Sequence, residues 1–441
     1  MCAARLPKSP QPRQVAVIGG GWAGCAAAVE LAARGVEVTL YESSRTLGGR
    51  ARAVRTHGKL LDNGQHIMLG AYRETLRLMR RLGIAERSAL LRLPLQMCYP
   101  DGQGMHFIAP RLPAPLHVGI ALMRSRGLAR PDKMALARFS TAARWMGWQL
   151  NQDCSVTELL ARFEQTDTLV QLMWRPLCIA ALNTPPERAS AQVFLNVLRD
   201  SLGARRAASD MLLPRVDLGT LFPERAAAYV EGRGGKVALG TAIDTLERDG
   251  ERWRLDGASY DAVVLATPPA PAAALLAPHA PALALPAFDW ESITTVYLQY
   301  PAETRLARPF YALVDEPDAG HWGQFVFDRG QLNAADAGLF AVVISASGPA
   351  LDLGNGSLPP QAAAQLATVF QRPALGAPLW ARVISEKRAT FACTPGLQRP
   401  GNDVGVGGLA LAGDYTASDY PATLESAVRS GVAAAALVSR G

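Results

Sequence analysis

The sequence predicts an α/β fold on three observations. A short buried strand runs into a glycine-rich turn, a second strand ends on an acid, and a strand, an acid and a helix recur near the far end of the chain. Val15-Ala16-Val17-Ile18 are four apolar residues without alternation, the pattern of a strand covered on both faces. Gly19, Gly21 and Gly24 then supply G-x-G-x-x-G, and the alanine-rich stretch from Cys25 to Arg34 predicts a helix closed by Gly35. Val36 to Tyr41 predicts the second strand, which ends on Glu42. In that order the elements predict a Rossmann-type dinucleotide turn. Gly19 permits the turn, Gly21 lets backbone approach a pyrophosphate, and Gly24 lets the helix lie close on the sheet. Trp22 and Ala23, within the turn, are also candidates for cofactor contact, and the helix N-terminus then faces the phosphates. Glu42, eighteen positions after Gly24, is placed to accept from ribose hydroxyls.

Arg45-Thr46-Leu47-Gly48-Gly49-Arg50 follows directly, and an arginine here can pair with the pyrophosphate from the far side. With this R-x-x-G-G-R the chain resembles the flavoprotein group of amine oxidases and phytoene desaturases, which implies FAD as cofactor, with Gly49 and Arg50 among its contacts. Next, Leu60 to Tyr72 sets Asp62, Asn63, Gln65 and His66 in an apolar, glycine-containing run. Glycine lets backbone pass close to a planar ring, and the Gln65 amide or the His66 imidazole can address its polar edge or a substrate. Read alone, His66 also suits a plain structural histidine. The D-N-G-Q-H-x-x-x-G-A-Y pattern resembles the squalene-associated branch of the group, the hydroxysqualene dehydroxylases.

The chain has 441 residues, 49% of them hydrophobic, enough for two domains. Six scattered cysteines form no C-x-x-C and stand without partner histidines, which argues for a reducing compartment and against a structural metal. Met1 to Gln14 lacks the apolar core of a signal peptide, and prolines with His279 interrupt the most apolar run, Ala272 to Leu285. A net charge of +7 fits an arginine-rich composition. It is joined by no helix-turn-helix, RNP or zinc pattern, so no nucleic-acid partner is expected.

Arg73 to Leu82 has helical spacing and stops at Gly83. From Phe107 to Leu150, after three prolines, apolar residues alternate with arginines through two helix-like segments that close on Trp145 and Trp148. Seven basic residues and one acid, Asp132, lie between Arg111 and Arg144. Such a stretch suits a headgroup layer, and equally a helical cap with a solvated arginine face. Val156 to Thr166, Leu169 to Leu182 and Ala191 to Leu202 read as helices without a catalytic acid–base pair, and Leu221 to Arg233 as a helix stopped by glycines. Val237 to Leu239, Ala242 to Leu246 and Arg252 to Leu255 read as strands of a small sheet, and Tyr260 to Thr267 as a returning buried strand. The resemblance implies that this strand completes the FAD domain and that the segment near Ile243 covers the adenine. Ile293 to Tyr300 is a further strand. By resemblance, amine oxidases place a lysine near the flavin where Thr295 stands here, which counts against amine oxidation.

Leu409 to Ala412 predicts a strand delivering Gly413 and Asp414. Pro421, read as the first helical residue, then leads Ala422, Thr423 and Leu424 into a long alanine-rich helix. Asp414 can accept from the ribityl chain or lie near the phosphates, and the helix N-terminus can face the flavin pyrimidine edge. G-D followed by P-x-T-x-E-x-A-x-x-S-G is similar to the group's C-terminal signature.

The resemblance spans nearly the whole chain. It implies a Rossmann-type FAD-binding domain of residues 1–75, 207–285 and 385–441, discontinuous in sequence. A mixed α+β substrate domain of residues 76–206 and 286–384 would carry the segment 107–150, membrane-facing or a cap as read above. The implied reaction is reductive dehydroxylation of hydroxysqualene to squalene, in squalene and hopanoid biosynthesis. Hydride passes from reduced flavin to an allylic carbon, and an acid protonates the departing oxygen; His66, Asp419, Tyr420 and Tyr415 are the candidates. A desaturase of a linear isoprenoid such as phytoene is the alternative, and a non-catalytic lipid-binding protein on the same fold is a third reading. Partners expected are the long isoprenoid, an external reductant and transient contact with a membrane. The expected place is the cytoplasm, peripheral on the inner face of a bacterial membrane.

Overall fold

A computed structural model describes residues 14–439, so the expectation of no leader falls almost wholly outside the described residues. The strand Gln14–Ile18 is the middle of a five-stranded sheet ordered Lys236–Leu239, Glu37–Glu42, Gln14–Ile18, Ala262–Leu265, Leu409–Leu411, parallel throughout. Parallel pairing buries both faces, which is why these strands read as unbroken apolar runs. Val15, Val17, Leu40 and Val264 pack on one side with the first helix, Trp22–Ala33, and the last, Leu424–Val438. Ala16, Ile18, Val263 and Leu265 pack on the other with Trp253 and Leu255.

Two expectations fail on that second face. Lys236–Leu239 joins the parallel sheet instead of the small one, which is antiparallel and formed by Glu247–Asp249, Arg252–Leu255 and Ala258–Tyr260. Residues 242–246 form no strand. Gly240 and Thr241 donate their N–H groups to the carbonyls of Ser44 and Glu42, which guides the chain past the sheet edge, and Ile243 and Leu246 enter the apolar core singly. Alternation here reports burial without a ladder.

A second sheet is antiparallel, ordered Phe310–Ala312, Phe325–Asp328, Leu339–Ser345, Trp290–Gln299, Trp380–Phe391. Val296, Leu298, Phe340 and Val342 pack with Leu358, Ala363 and Leu366 of the helix Leu358–Val369. Tyr297, Phe325, Phe327 and Val343 belong to a different core, shared with the helices of the 116–201 region. Trp380–Phe391 is one continuous strand across residues 384 and 385, where a domain boundary was expected.

The stretch expected to be one helix, Leu169 to Leu182, is a π-helical turn, Val170–Trp174, followed by an α-helix, Arg175–Leu182. Pro176 brings no N–H to the carbonyl one turn earlier. The Tyr99 hydroxyl donates to that carbonyl of Leu172 instead, at 2.9 Å.

Candidate functional site

Two glycines show why the first motif needs them. A Cβ on Gly24 would stand 1.8 Å from the Gly19 carbonyl oxygen, so only glycine lets the helix begin this close to the strand end. A Cβ on Gly21 would meet nothing within 4 Å, because it would project into a cavity that Gly21 lines. No side chain caps the first helix, and Gly21, Trp22 and Ala23 border the cavity at its start. A buried helix N-terminus without a side-chain acceptor is suited to an anionic group from a ligand. Gly48 donates to the Gly20 carbonyl at 2.9 Å, which lays the second glycine pair over the first turn.

Glu42 is buried beside this turn. One of its carboxylate oxygens accepts from the Gly20 N–H at 2.7 Å and the other from the Ser44 N–H at 2.7 Å. Its charge is therefore anchored by backbone while the residue still lines the cavity. Arg50 and Asp414, from the motifs at opposite ends of the chain, meet as an ion pair at 2.5 Å. Arg50 also donates to the Ala389 carbonyl, at 2.9 Å.

The C-terminal helix starts at Leu424 with Thr423 as its cap, so Pro421 stands before the helix and not in its first position. Each polar residue of the signature holds something. Glu425 accepts from the Glu74 and Thr75 N–H groups, capping the helix Arg73–Arg81, and pairs with Arg429 at 2.7 Å. Ser430 accepts from the Gly413 N–H at 2.9 Å and so fixes the strand end that presents Asp414. A Cβ on Gly431 would lie 2.1 Å from the Ala23 carbonyl oxygen, so glycine is what lets the last helix pack on the first.

The cavity these motifs enclose measures about 1210 Å³, above the roughly 300–1,000 Å³ of an ordinary small-ligand pocket. Gly19, Gly49, Gly413, Thr423 and Leu424 line it with the residues above. Leu95, Met97, Phe107, Met173, Phe325 and Phe327 also line it, and they pack in a different core from the glycine turns, as its apolar arm. Gln65 and His66 line it too. Gln65 Oε1 accepts from Arg329, at 3.1 Å, and Arg329 is itself buried between Asp336 at 3.3 Å and Asp62 at 3.9 Å. His66 Nδ1 lies 2.7 Å from the Gly64 carbonyl, which can only accept, so Nδ1 carries the ring proton and Nε2 is left as an acceptor. Burial lowers the His66 pKa, outweighing that hydrogen bond. The imidazole is therefore neutral near pH 7.

Tyr420 lines the cavity and donates to Asp200, which Arg199 holds in turn at 2.7 Å. Burial pushes the Tyr420 pKa up, and the Asp200 carboxylate adds to that. Burial raises the Asp200 pKa as well, but the hydrogen bonds from Arg199 and Tyr420 outweigh it and lower its pKa. Tyr415 is buried and donates to the Thr267 carbonyl.

Three expected residues are not brought to the cavity surface. Asp419 is exposed and outside the cavity wall; the loop turns its side chain outward while its carbonyl accepts from Asn196. Ile243 sits in the core behind the sheet and not over the cavity. Gly24 acts through packing alone. Thr295 is fully buried, and Ile293, two residues earlier on the strand, is the one that reaches the cavity. Sequence reasoning missed Asp200 and Arg429, which line the cavity beside Tyr420. Arg429 lies inside the C-terminal signature, one turn after Glu425, and that spacing was the available sign. Asp200 had none.

The sequence profile of the family described as Flavin containing amine oxidoreductase matches residues 22–345 and 380–439. A hydroxysqualene dehydroxylase of Rhodopseudomonas palustris is 29% identical over 97% of this chain and 98% of its own length. That of Sinorhizobium fredii is 28% identical over the same shares. A 15-cis-phytoene desaturase of Solanum lycopersicum is 24% identical over 96% of this chain and 77% of its own. Among solved structures, a putative protoporphyrinogen oxidase from Exiguobacterium sp. 255-15 shares the fold, with a TM-score of 0.66 at 19% identity, covering 96% of this chain and 98% of its own. The glycine turns and the uncapped helix start fit the FAD that these likenesses call for. The chain belongs to the flavin containing amine oxidoreductase family and is an FAD-dependent oxidoreductase.

Proposed function

We propose that this oxidoreductase reductively dehydroxylates a long linear isoprenoid alcohol, hydroxysqualene, to squalene, in the pathway toward hopanoids. The observation that carries the reading is the cavity's apolar arm, which is walled by Leu95, Met97, Phe107, Met173, Phe325 and Phe327. Such a wall rewards a hydrocarbon chain and offers nothing to an amine. The similarity to hydroxysqualene dehydroxylases over almost the full length supports the same reading.

FAD, when bound and reduced, would supply a hydride to the allylic carbon, while the carbon–oxygen bond breaks and the oxygen takes one proton and leaves as water. The arm holds the carbon skeleton and excludes bulk water from it. Neutral His66, with Nε2 free to accept, orients the substrate hydroxyl by taking its hydrogen bond. Tyr420 keeps its proton at neutral pH, because burial and Asp200 both raise its pKa. From its place on the cavity wall Tyr420 brings that proton to the leaving oxygen in this reading, with His66 as the orienting acceptor.

Desaturation of a linear isoprenoid, with hydride running from carbon to oxidised FAD, is the second reading, supported by the likeness to 15-cis-phytoene desaturase. One anaerobic experiment separates them. The protein's flavin is reduced with dithionite, hydroxysqualene is added, and the flavin spectrum and extracted lipid are followed. Reoxidation with squalene appearing in equal amount is expected. A flavin that stays reduced, together with turnover of phytoene by the oxidised protein, would replace dehydroxylation with desaturation.

A further inference from the structure

The two helices that follow the strand His106–Ile108 combine an inner face the fold explains with an outer face it does not. In Leu116–Arg124 and Arg130–Trp145, the side chains of Ala121, Leu122, Ala135, Leu136, Phe139 and Ala143 are buried. They pack in the same core as Phe107, Met173, Phe325 and Phe327, four residues of the cavity's apolar arm. These helices thus share the core that backs the arm.

Their outward positions are unusual in what they show to water. Nine large apolar side chains are exposed among the described residues, and four of them, Leu116, Met123, Met134 and Trp145, are on these two helices. Met123 is 70% exposed and Trp145 87%. Leu116 and Met123 are two turns apart on one helix and so share a face; Met134 and Trp145 are three turns apart on the other and do the same. Around them Arg111, Arg124, Arg126, Arg130, Arg138 and Arg144 are all exposed.

The acid of the segment does not offset this charge at the surface. Asp132 is buried, with one carboxylate oxygen accepting from the Ala129 N–H and the other from the Thr166 hydroxyl, both at 2.7 Å. Arg138 reaches Glu164 from outside the pair at 3.9 Å. Lys133 donates to the carbonyls of Met123 and Ser125, closing the C-terminal end of the first helix and pinning the second against it. The surface is therefore preformed, cationic and apolar together.

We propose that this face docks on an anionic lipid bilayer. Met123, Met134 and Trp145 enter the headgroup layer and the arginines meet lipid phosphates. A nucleic acid would satisfy the arginines but leave the methionines in water. A bilayer satisfies both, and Trp is a residue favoured at the headgroup level. No helix among the described residues is long and apolar enough to cross a membrane, so the contact is one of surface. The docking stands apart from the reaction proposed above and is read with lipid alone.

The test is co-sedimentation of the full FAD-loaded protein with phosphatidylglycerol–phosphatidylcholine vesicles and with phosphatidylcholine vesicles, at low and high salt. Binding at least about tenfold stronger to the anionic vesicles, weakening as salt is raised, is expected. Two variants, one carrying Met123→Ser, Met134→Ser and Trp145→Ser, the other Arg124→Glu and Arg144→Glu, should each lose about tenfold or more while their bound FAD spectrum is retained. Arg225→Glu, an exposed charge reversal on the helix Pro223–Glu231, should stay within about twofold. The blue shift of tryptophan emission on vesicle binding should be reduced by Trp145→Ser. The proposal is overturned by equal binding to neutral vesicles, by no binding at low salt, or by variants that bind as the parent does. Self-association that the triple serine variant abolishes, or tighter binding to duplex DNA than to vesicles, would give this face another occupant and overturn it equally.

Discussion

The two ends of the cavity are built on opposite principles. At the FAD end the wall is mostly backbone: glycines at 19, 21, 48, 49 and 413, a helix start without a side-chain cap, and one carboxylate fixed by two amide N–H groups. At the far end the wall is side chain, contributed by strands, loops and helices distant in sequence, and its contacts are dispersive. Backbone recognition has almost no tolerance, because no side chain can move aside to admit an extra atom. Side-chain recognition is forgiving, because many residues of similar volume make the same wall. A substitution should therefore cost most at the FAD end and progressively less along the arm.

The sharpest way to break that comparison is Gly431→Val. Even a Cβ would meet the Ala23 carbonyl at 2.1 Å, where neither helix has a flexible partner to displace. Separating the first and last helices undoes the packing behind the glycine turn. We expect a loss of several kcal/mol in stability and an FAD-free protein. Thermal unfolding and flavin absorbance check it, and a variant that unfolds like the parent with full flavin would show the helix contact to be slack. Glu42→Ala comes next. It removes the acceptor of the Gly20 and Ser44 N–H groups and any bond to a ribose hydroxyl, and about a hundredfold weaker FAD retention is expected, from hydrogen bonds to a charged group. Flavin occupancy after dialysis measures it.

The same division explains what was legible beforehand. Gly19, Gly21, Gly24, Glu42 and the Gly413-Asp414 pair could be read because backbone geometry leaves a residue-type signature at fixed spacing. Asp200 and the apolar arm could not. A carboxylate near the end of an ordinary helix has no spacing rule, and an apolar residue lining a cavity looks like one filling a core. Asp419 misled for a related reason: a loop beside a signature carries no periodicity from which the direction of its side chains can be read. Ile243 was placed by likeness, and its side chain is buried behind the sheet, outside the cavity wall.

Tyr420 lies between the two regimes, at a polar stretch of wall with Asp200 and Arg429. Tyr420→Phe keeps the ring and its contact with Arg429, whose guanidinium lies 4.8 Å from the ring centre. It removes the hydroxyl, with its proton and its hydrogen bond to Asp200. A fall in kcat of about tenfold to a hundredfold is expected, with FAD retention unchanged. Rapid anaerobic reoxidation of the reduced variant by hydroxysqualene would clear Tyr420 of the acid role and pass it to His66, whose lowered pKa would then have to rise with substrate bound.

The smallest effect, and the one that sharpens the comparison most, belongs to the arm. Phe327 is buried, stacks on Phe310 with ring centres 5.7 Å apart and contributes to the cavity wall. Phe327→Leu keeps the wall apolar and removes part of its area, so the substrate loses a few dispersive contacts and no polar partner is stranded. KM should rise about threefold to tenfold, with kcat nearly constant and FAD retention unaffected, because this contact is the same in the ground state and the transition state. A fall in kcat of the size expected for Tyr420→Phe would mean that the arm aligns the reacting carbon as well as holding the chain. The forgiving end of the cavity would then be as demanding as the glycine end.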